Sequence, residues 1–182
     1  MQKGFTIVEL LIVIVIIGVL VALTLVTYNG LQQRGTNSAM TSAVGSYAKA
    51  IMNYKNVVGS FPQSPGCIGG GYGNGFSGSE PTNVNGQCQS WNAIKENTTL
   101  NNQIRPYLNN TLPSPPTGTI GDSGVWFRGI HYNNYGPFGG YYLGFVIVGN
   151  NSCPSVSGLV SPATTNLLSG GRYCLMAFSE QT

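Results

Sequence analysis

Charge is what this sequence most lacks. Only 7% of its 182 residues are Asp, Glu, Lys or Arg, against ~25% in ordinary soluble domains. The net charge of +3 is small and dispersed, which argues against a nucleic-acid groove. Histidine is reduced to His131, in "GIHYNN", with no acid or thiol beside it in sequence. Outside the first helix the acids are Glu80, Glu96, Asp122 and Glu180, all far apart. They form neither a carboxylate pair nor an oxygen-rich calcium loop. No Cys-x-x-Cys pair is present either, which weakens a zinc or thioredoxin-like reading. We therefore expect a protein that is not an enzyme and that uses no cofactor or metal.

What replaces charge is amide, hydroxyl and glycine. The chain has 26 Gly and 10 Tyr, with abundant Asn, Ser and Thr, a neutral surface suited to an extracellular or assembled protein. Its four cysteines are Cys67, Cys88, Cys153 and Cys174. An even count in an exported chain favours disulfides, and three connectivities are open. Sequential pairing, Cys67–Cys88 and Cys153–Cys174, is the expected one. Each pair closes a loop of about 20 residues, worth roughly 3 kcal/mol in the chain-entropy account.

Long apolar runs are not lacking. From Phe5 to Val26 the only charge is Glu9, and a helix of about 22 residues is long enough to span ~30 Å of hydrocarbon. A cleaved secretory signal has a shorter apolar core and a small-residue cleavage site; no Ala-x-Ala follows this run. Lys3 before it places the N-terminus in the cytoplasm and the rest outside. The helical pattern continues through Met40, Val44, Tyr47, Ile51 and Tyr54, an apolar stripe that predicts docking on a globular domain. Gly59 and Pro62 end it. A helix from Phe5 to about Lys55 is roughly 75 Å long. Gly18, Gly30, Gly35 and Gly45 interrupt it, each costing up to about 1 kcal/mol relative to Ala. They serve either close helix packing or local unwinding. Glu9 is the anomaly, since insertion scales charge an acid at a membrane centre roughly 2.5–3.5 kcal/mol.

"KGFTIVELLIVIVIIGVLVAL" resembles the N-terminus of type IV pilins and of the related type II secretion pseudopilins. A short leader ends in Lys3-Gly4, Phe5 follows, and Glu9 stands four residues after Phe5. Gly18, Tyr28 and Arg34 also fall where such pilins often carry those residue types. The resemblance implies that a membrane prepilin peptidase cuts after Gly4 and that the new amino terminus, Phe5, is methylated. It implies that Glu9 pairs with the Phe5 amine of a neighbouring subunit and so sets the register of a filament. The alternative role for Glu9 is to favour the positive end of the helix dipole, worth ~0.3–1 kcal/mol. Many bacterial pilins carry proline where Val26 stands; this chain has none before Pro62. If residues 18–30 unwind in a filament, Gly18 and Gly30 must permit it.

After residue 60 the composition shifts. Residues 64–90 are rich in Gly, Ser and Asn and bracketed by Cys67 and Cys88. They read as a loop region, without the Lys-Ser/Thr of a phosphate cradle. Residues 91–108 suit a short helix, and Thr111–Gly121, with three prolines, a connector. Three runs rich in β-branched and aromatic residues read as strands: Gly124–Tyr132, Gly140–Gly149 and Arg172–Ser179. In "YYLGFVIVG" both alternating faces are apolar, one to pack on the helix and one to contact a neighbour. A Cys153–Cys174 bond would staple the intervening loop to the sheet edge. The resemblance makes that loop exposed and often adhesive.

The expected organisation is a leader over 1–4, a long helix over 5–56 (5–26 in membrane or filament core) and a head over 57–182. The expected fold is α+β and type IV pilin-like, with the second half of the helix packed on a small antiparallel sheet. The expected function is that of a structural subunit of an extracellular type IV pilus, serving adhesion, motility or DNA uptake. Its partners are copies of itself, the prepilin peptidase, the pilus assembly machinery and, before assembly, the cytoplasmic membrane. A secretion pseudopilin or minor pilin is the alternative, with an uncleaved membrane-anchored binding module as a second. The cysteine pair in place of a C-terminal acid cluster favours the pilus.

Overall fold

The computed structural model describes residues 6–70, 87–89, 94–116, 119–122, 125–134, 140–149 and 151–179. It divides into two compact units, Met1–Gly35 and Thr36–Thr182. One helix, α1 (Ile7–Val58), contributes to both.

In the first unit α1 is bare. The large apolar side chains from Ile7 to Leu23 are 46–81% exposed, and Tyr28 and Leu31 are exposed as well. So complete an apolar surface on one helix marks a segment that is buried by something other than its own chain.

In the second unit α1 is docked. Met40, Val44, Tyr47 and Ile51 are buried in the core, with Ala43, Ala48 and Ala50 between them. This is the stripe read from sequence. Tyr54 continues it at the edge, its ring edge-on to Tyr107 at 6.3 Å. The helix stops at Gly59, whose φ of 88° is the left-handed conformation that closes helices and that glycine adopts without strain.

The rest of this unit is an α+β head. A five-stranded sheet has the order β1 (Gly66–Ile68), β6 (Ile130–Asn133), β7 (Tyr142–Val148), β9 (Gly171–Phe178), β8 (Leu159–Leu168). A four-stranded sheet has the order β3 (Ile94–Lys95), β2 (Gln87–Gln89), β5 (Val125–Arg128), β4 (Thr119–Asp122). All pairs between these strands are antiparallel. A short helix, α2 (Thr98–Ile104), precedes the 3-10 turn Arg105–Leu108. A long N-terminal helix followed by small antiparallel sheets is the α+β arrangement expected, and it is consistent with a type IV pilin fold.

Three strand expectations need adjusting. The run Gly124–Tyr132 is not one strand: Gly129, at φ 62°, separates β5 from β6, and the two belong to different sheets. The connector Thr111–Gly121 ends in a strand, β4. The Cys153–Cys174 loop is not a loop hung from the sheet edge. It contains β8, which is itself the edge, and the first half of its partner, β9.

Both faces of β7 are buried within the unit, Tyr142 to Ile147 all being core residues. The face expected to meet a neighbour is covered by the same chain. The His131 ring lies over Gly144, where a Cβ would come within 2.2 Å of it. Phe127 of β5 then stacks on Tyr173 with ring centroids 4.2 Å apart.

Candidate assembly site

The functional residues expected from sequence fall on the first turn of α1, on its glycines and on the cysteines. Gly4 and Phe5 lie outside the described residues. Glu9 is described, and its carboxylate is engaged locally. Thr6 donates to Glu9 Oε2 from both its backbone N–H and its Oγ1, each at 2.8 Å. Glu9 N–H in turn approaches Thr6 Oγ1 at 3.3 Å. This is a capping box: Thr at the N-cap and Glu three residues on satisfy each other's orphan backbone donors. The signal was legible as Thr6-x-x-Glu9 just ahead of an apolar run, and neither role weighed for Glu9 above includes it. Both bonds from Thr6 use the same oxygen, and an ionised carboxylate accepts more than two.

Gly18, Gly30 and Gly35 have open space around them, with nothing within 4 Å of a Cβ built on any of the three. Nothing in the single chain requires them to be glycine. Among the described residues no helix is long and apolar enough to cross a membrane. The apolar stretch whose side chains are described, residues 7–23, covers about 25 Å at 1.5 Å per residue. The sequence run Phe5–Val26 extends past it at both ends.

The cysteines form two disulfides, Cys67–Cys88 and Cys153–Cys174. Cys67 and Cys88 are fully buried and tie β1 to β2, hence one sheet to the other. Cys153–Cys174 fixes the approach to β8 onto the central part of β9.

His131 is packed, not poised for catalysis. It is buried on β6, its ring parallel to Tyr173 and its Nε2 3.1 Å from the Tyr173 hydroxyl. Burial pushes its pKa down to about 4 and pushes the Tyr173 phenol up.

Asparagine side chains hold the head together where charged residues usually do. Asn97 caps α2 by accepting from Leu100 N–H and donates to the Pro65 carbonyl, both at 3.0 Å. Asn101 brackets Gly69, accepting from its N–H at 3.1 Å and donating to its C=O at 3.3 Å. Asn37 of α1 does the same to Val148 at the end of β7, at 2.7 and 2.9 Å. Sequence reasoning did not single out Asn37. The signal is that it continues the stripe Met40–Val44–Tyr47 one step toward the N-terminus with a polar residue that is a poor helix former.

Comparison with known proteins bears on the first turn of α1. The family model described as the prokaryotic N-terminal methylation motif matches residues 1–25. The chain is also similar to the fimbrial protein EcpC of Eikenella corrodens, with 37% identity over 68 residues, or 37% of this chain and 44% of that protein. The match thus spans less than half of that relative's length. No solved structure matches the chain. A methylation motif, a fimbrial relative and an α+β head on a long bare helix together support a type IV pilin.

Proposed function

We propose that the chain is a prepilin, cut after Gly4 and methylated on Phe5, whose mature form polymerises into an extracellular filament through α1. The observation that carries this is the ring of exposed apolar side chains from Ile7 to Leu23, with an ionisable Glu9 in its first turn. Before assembly the bilayer covers those side chains, with the head outside. In the filament, copies of the same helix cover them. The helix is already out of water in the bilayer, so transfer between the two gains packing and polar pairing rather than hydrophobic burial. A near balance of that kind suits a subunit that is added and withdrawn. The peptidase and a membrane assembly machine act on this segment, and adhesion, motility or DNA uptake belongs to the filament as a whole.

Glu9 has two roles in this account. Within the chain it closes the capping box with Thr6. Between chains its remaining acceptor capacity takes the Phe5 ammonium of a neighbour, and a subunit at the wrong height leaves both charges unpaired in a dry core. Glu9→Gln separates the roles, because Gln also closes a capping box but carries no charge. The variant is expected to be cut after Gly4 at the normal rate and to give less than about a tenth of the normal surface filament, the factor that one lost charge-assisted contact implies. Normal filament yield from Glu9→Gln would reduce Glu9 to a helix cap.

A further inference from the structure

Strand β7 outruns its neighbour. Its pairing with β6 begins at Asn133↔Tyr142 and ends at Ile130↔Phe145, while its pairing with β9 continues to Val148↔Gly171. Past Phe145, then, the side of β7 toward β6 has no strand to bond among the described residues. At Val148 the missing partner is replaced by a side chain of α1. Val148 N–H donates to Asn37 Oδ1 at 2.7 Å, and Asn37 Nδ2 donates to Val148 C=O at 2.9 Å. In an antiparallel ladder two opposed residues exchange both bonds in this way. The amide of Asn37 stands in for a strand residue.

The position of Asn37 in α1 gives the contact its meaning. It is the second residue of the head unit, Thr36–Thr182. Residues 30–35 just before it are exposed and include Gly30 and Gly35, neither with a neighbour within 4 Å of a built Cβ. Three residues after it Met40 begins the buried stripe. Open, glycine-bearing helix thus gives way to docked helix within about two turns, and the clamp sits at the change. A single apolar contact there would let α1 slide or peel. Two bonds to one backbone residue fix both its height and its rotation.

The geometry points to Asn37 as a positioning residue: it is the stop at which bending or unwinding of the glycine-bearing stretch of α1 ends, so that the sheet beyond is undisturbed. Its consequence for assembly rests on the filament reading above, but the clamp itself does not. Val148 C=O also accepts from Asn151 Nδ2 at 3.1 Å, so loss of Asn37 orphans chiefly the Val148 N–H.

Hydrogen exchange followed by mass spectrometry tests this on the full chain in detergent micelles, comparing wild type, Asn37→Ala and Asn151→Ala. Asn37→Ala is expected to speed exchange at Val148 and at residues 36–44 about tenfold, the factor implied by leaving one N–H without its partner. Residues 47–55 and β9 should keep their rates, and Asn151→Ala should change Val148 little. Uniform acceleration across the head would make Asn37 an ordinary stabilising contact and overturn the proposal, as would no acceleration at all. If Asn37→Ala does not fold, the wild-type chain decides: Val148 N–H must be protected as strongly as the paired amides of β7, and exchange at the rate of an open strand end overturns the clamp. Normal filament yield from Asn37→Ala in spite of these exchange changes would keep the clamp and count against its consequence for assembly alone.

Discussion

At the scale of single residues, the chain's scarcity of titratable groups makes one of them conspicuous. His131 is the only histidine, and burial holds its folded pKa at about 4. The groups against it are the Tyr173 hydroxyl, the Gly144 backbone, the disulfide-bonded Cys67 opposite it on β1 and, behind Tyr173, the Phe127 ring. None of these is charged. The unfolded chain takes up a proton at the ordinary value near 6.5, before the folded chain does. Stability is therefore full above about pH 6.5 and falls as the pH drops toward 4, at up to ~1.4 kcal/mol per unit or roughly 3 kcal/mol in all. Between pH 6.5 and 5 no other side chain ordinarily titrates. Urea midpoints of the detergent-solubilised chain should thus decline across that interval, and those of His131→Asn should not. A flat wild-type profile would mean that the imidazole is hydrated or charged in the folded head. From sequence, an isolated histidine at a strand end with nothing to activate it read as solvent-facing or packed, and burial on β6 selects the packed form. Its Tyr173 partner was not legible, because 42 residues separate them.

At the scale of elements, legibility followed periodicity. Helix α1 was visible from its apolar run and then from a stripe at three- and four-residue steps, and its end from Gly59. Strands β7 and β9 were visible from their runs of Val, Ile, Leu and aromatic residues. Strand β8 was not, since Leu159–Leu168 contains Pro162 together with Ser, Thr and Asn, a composition that reads as loop. It is allowed as a strand because it lies at the edge of its sheet, where proline's missing N–H costs no ladder bond. Its register shifts on both sides of Pro162, and such bulges also protect an edge from pairing with other chains. Strands β1 and β2 are three residues each, too short for an alternation to show, and the Cys67–Cys88 bond holds them in place.

The glycines of α1 carry the element-scale prediction. Gly30 has open space around it, so Gly30→Ala fits the single chain and should stabilise the helix by about 0.5–1 kcal/mol. Exchange of the amides around residue 30 in the free subunit should slow roughly twofold to fivefold, as that energy implies. If the glycine is there for bending, subunits with Gly30→Ala should still be processed while their filaments form less well or are stiffer. Filaments of unchanged yield and stiffness would show that a bendable residue 30 is not needed.

At the scale of the whole molecule, the sequence and the structure describe one chain with two kinds of surface. The head of residues 36–182 buries a large apolar core within itself, carries two disulfides and uses asparagine amides where charge is scarce. Among its described residues the first unit buries nothing in the single chain. On the function proposed, such a chain is completed by its surroundings, first lipid and then copies of itself. The class was legible from about 30 residues at the N-terminus, because the methylation motif is a local sequence feature. What the filament touches was not legible, because recognition depends on how the head's neutral surface is arranged.

The central claim is that α1 is the polymerisation element of a processed subunit. Intact-mass spectrometry of protein sheared from the cell surface tests it most directly. The account predicts one abundant species that begins at Phe5, carries one added methyl group and retains both disulfides. A chain still carrying Met1–Gly4, recovered only from membranes, would contradict it.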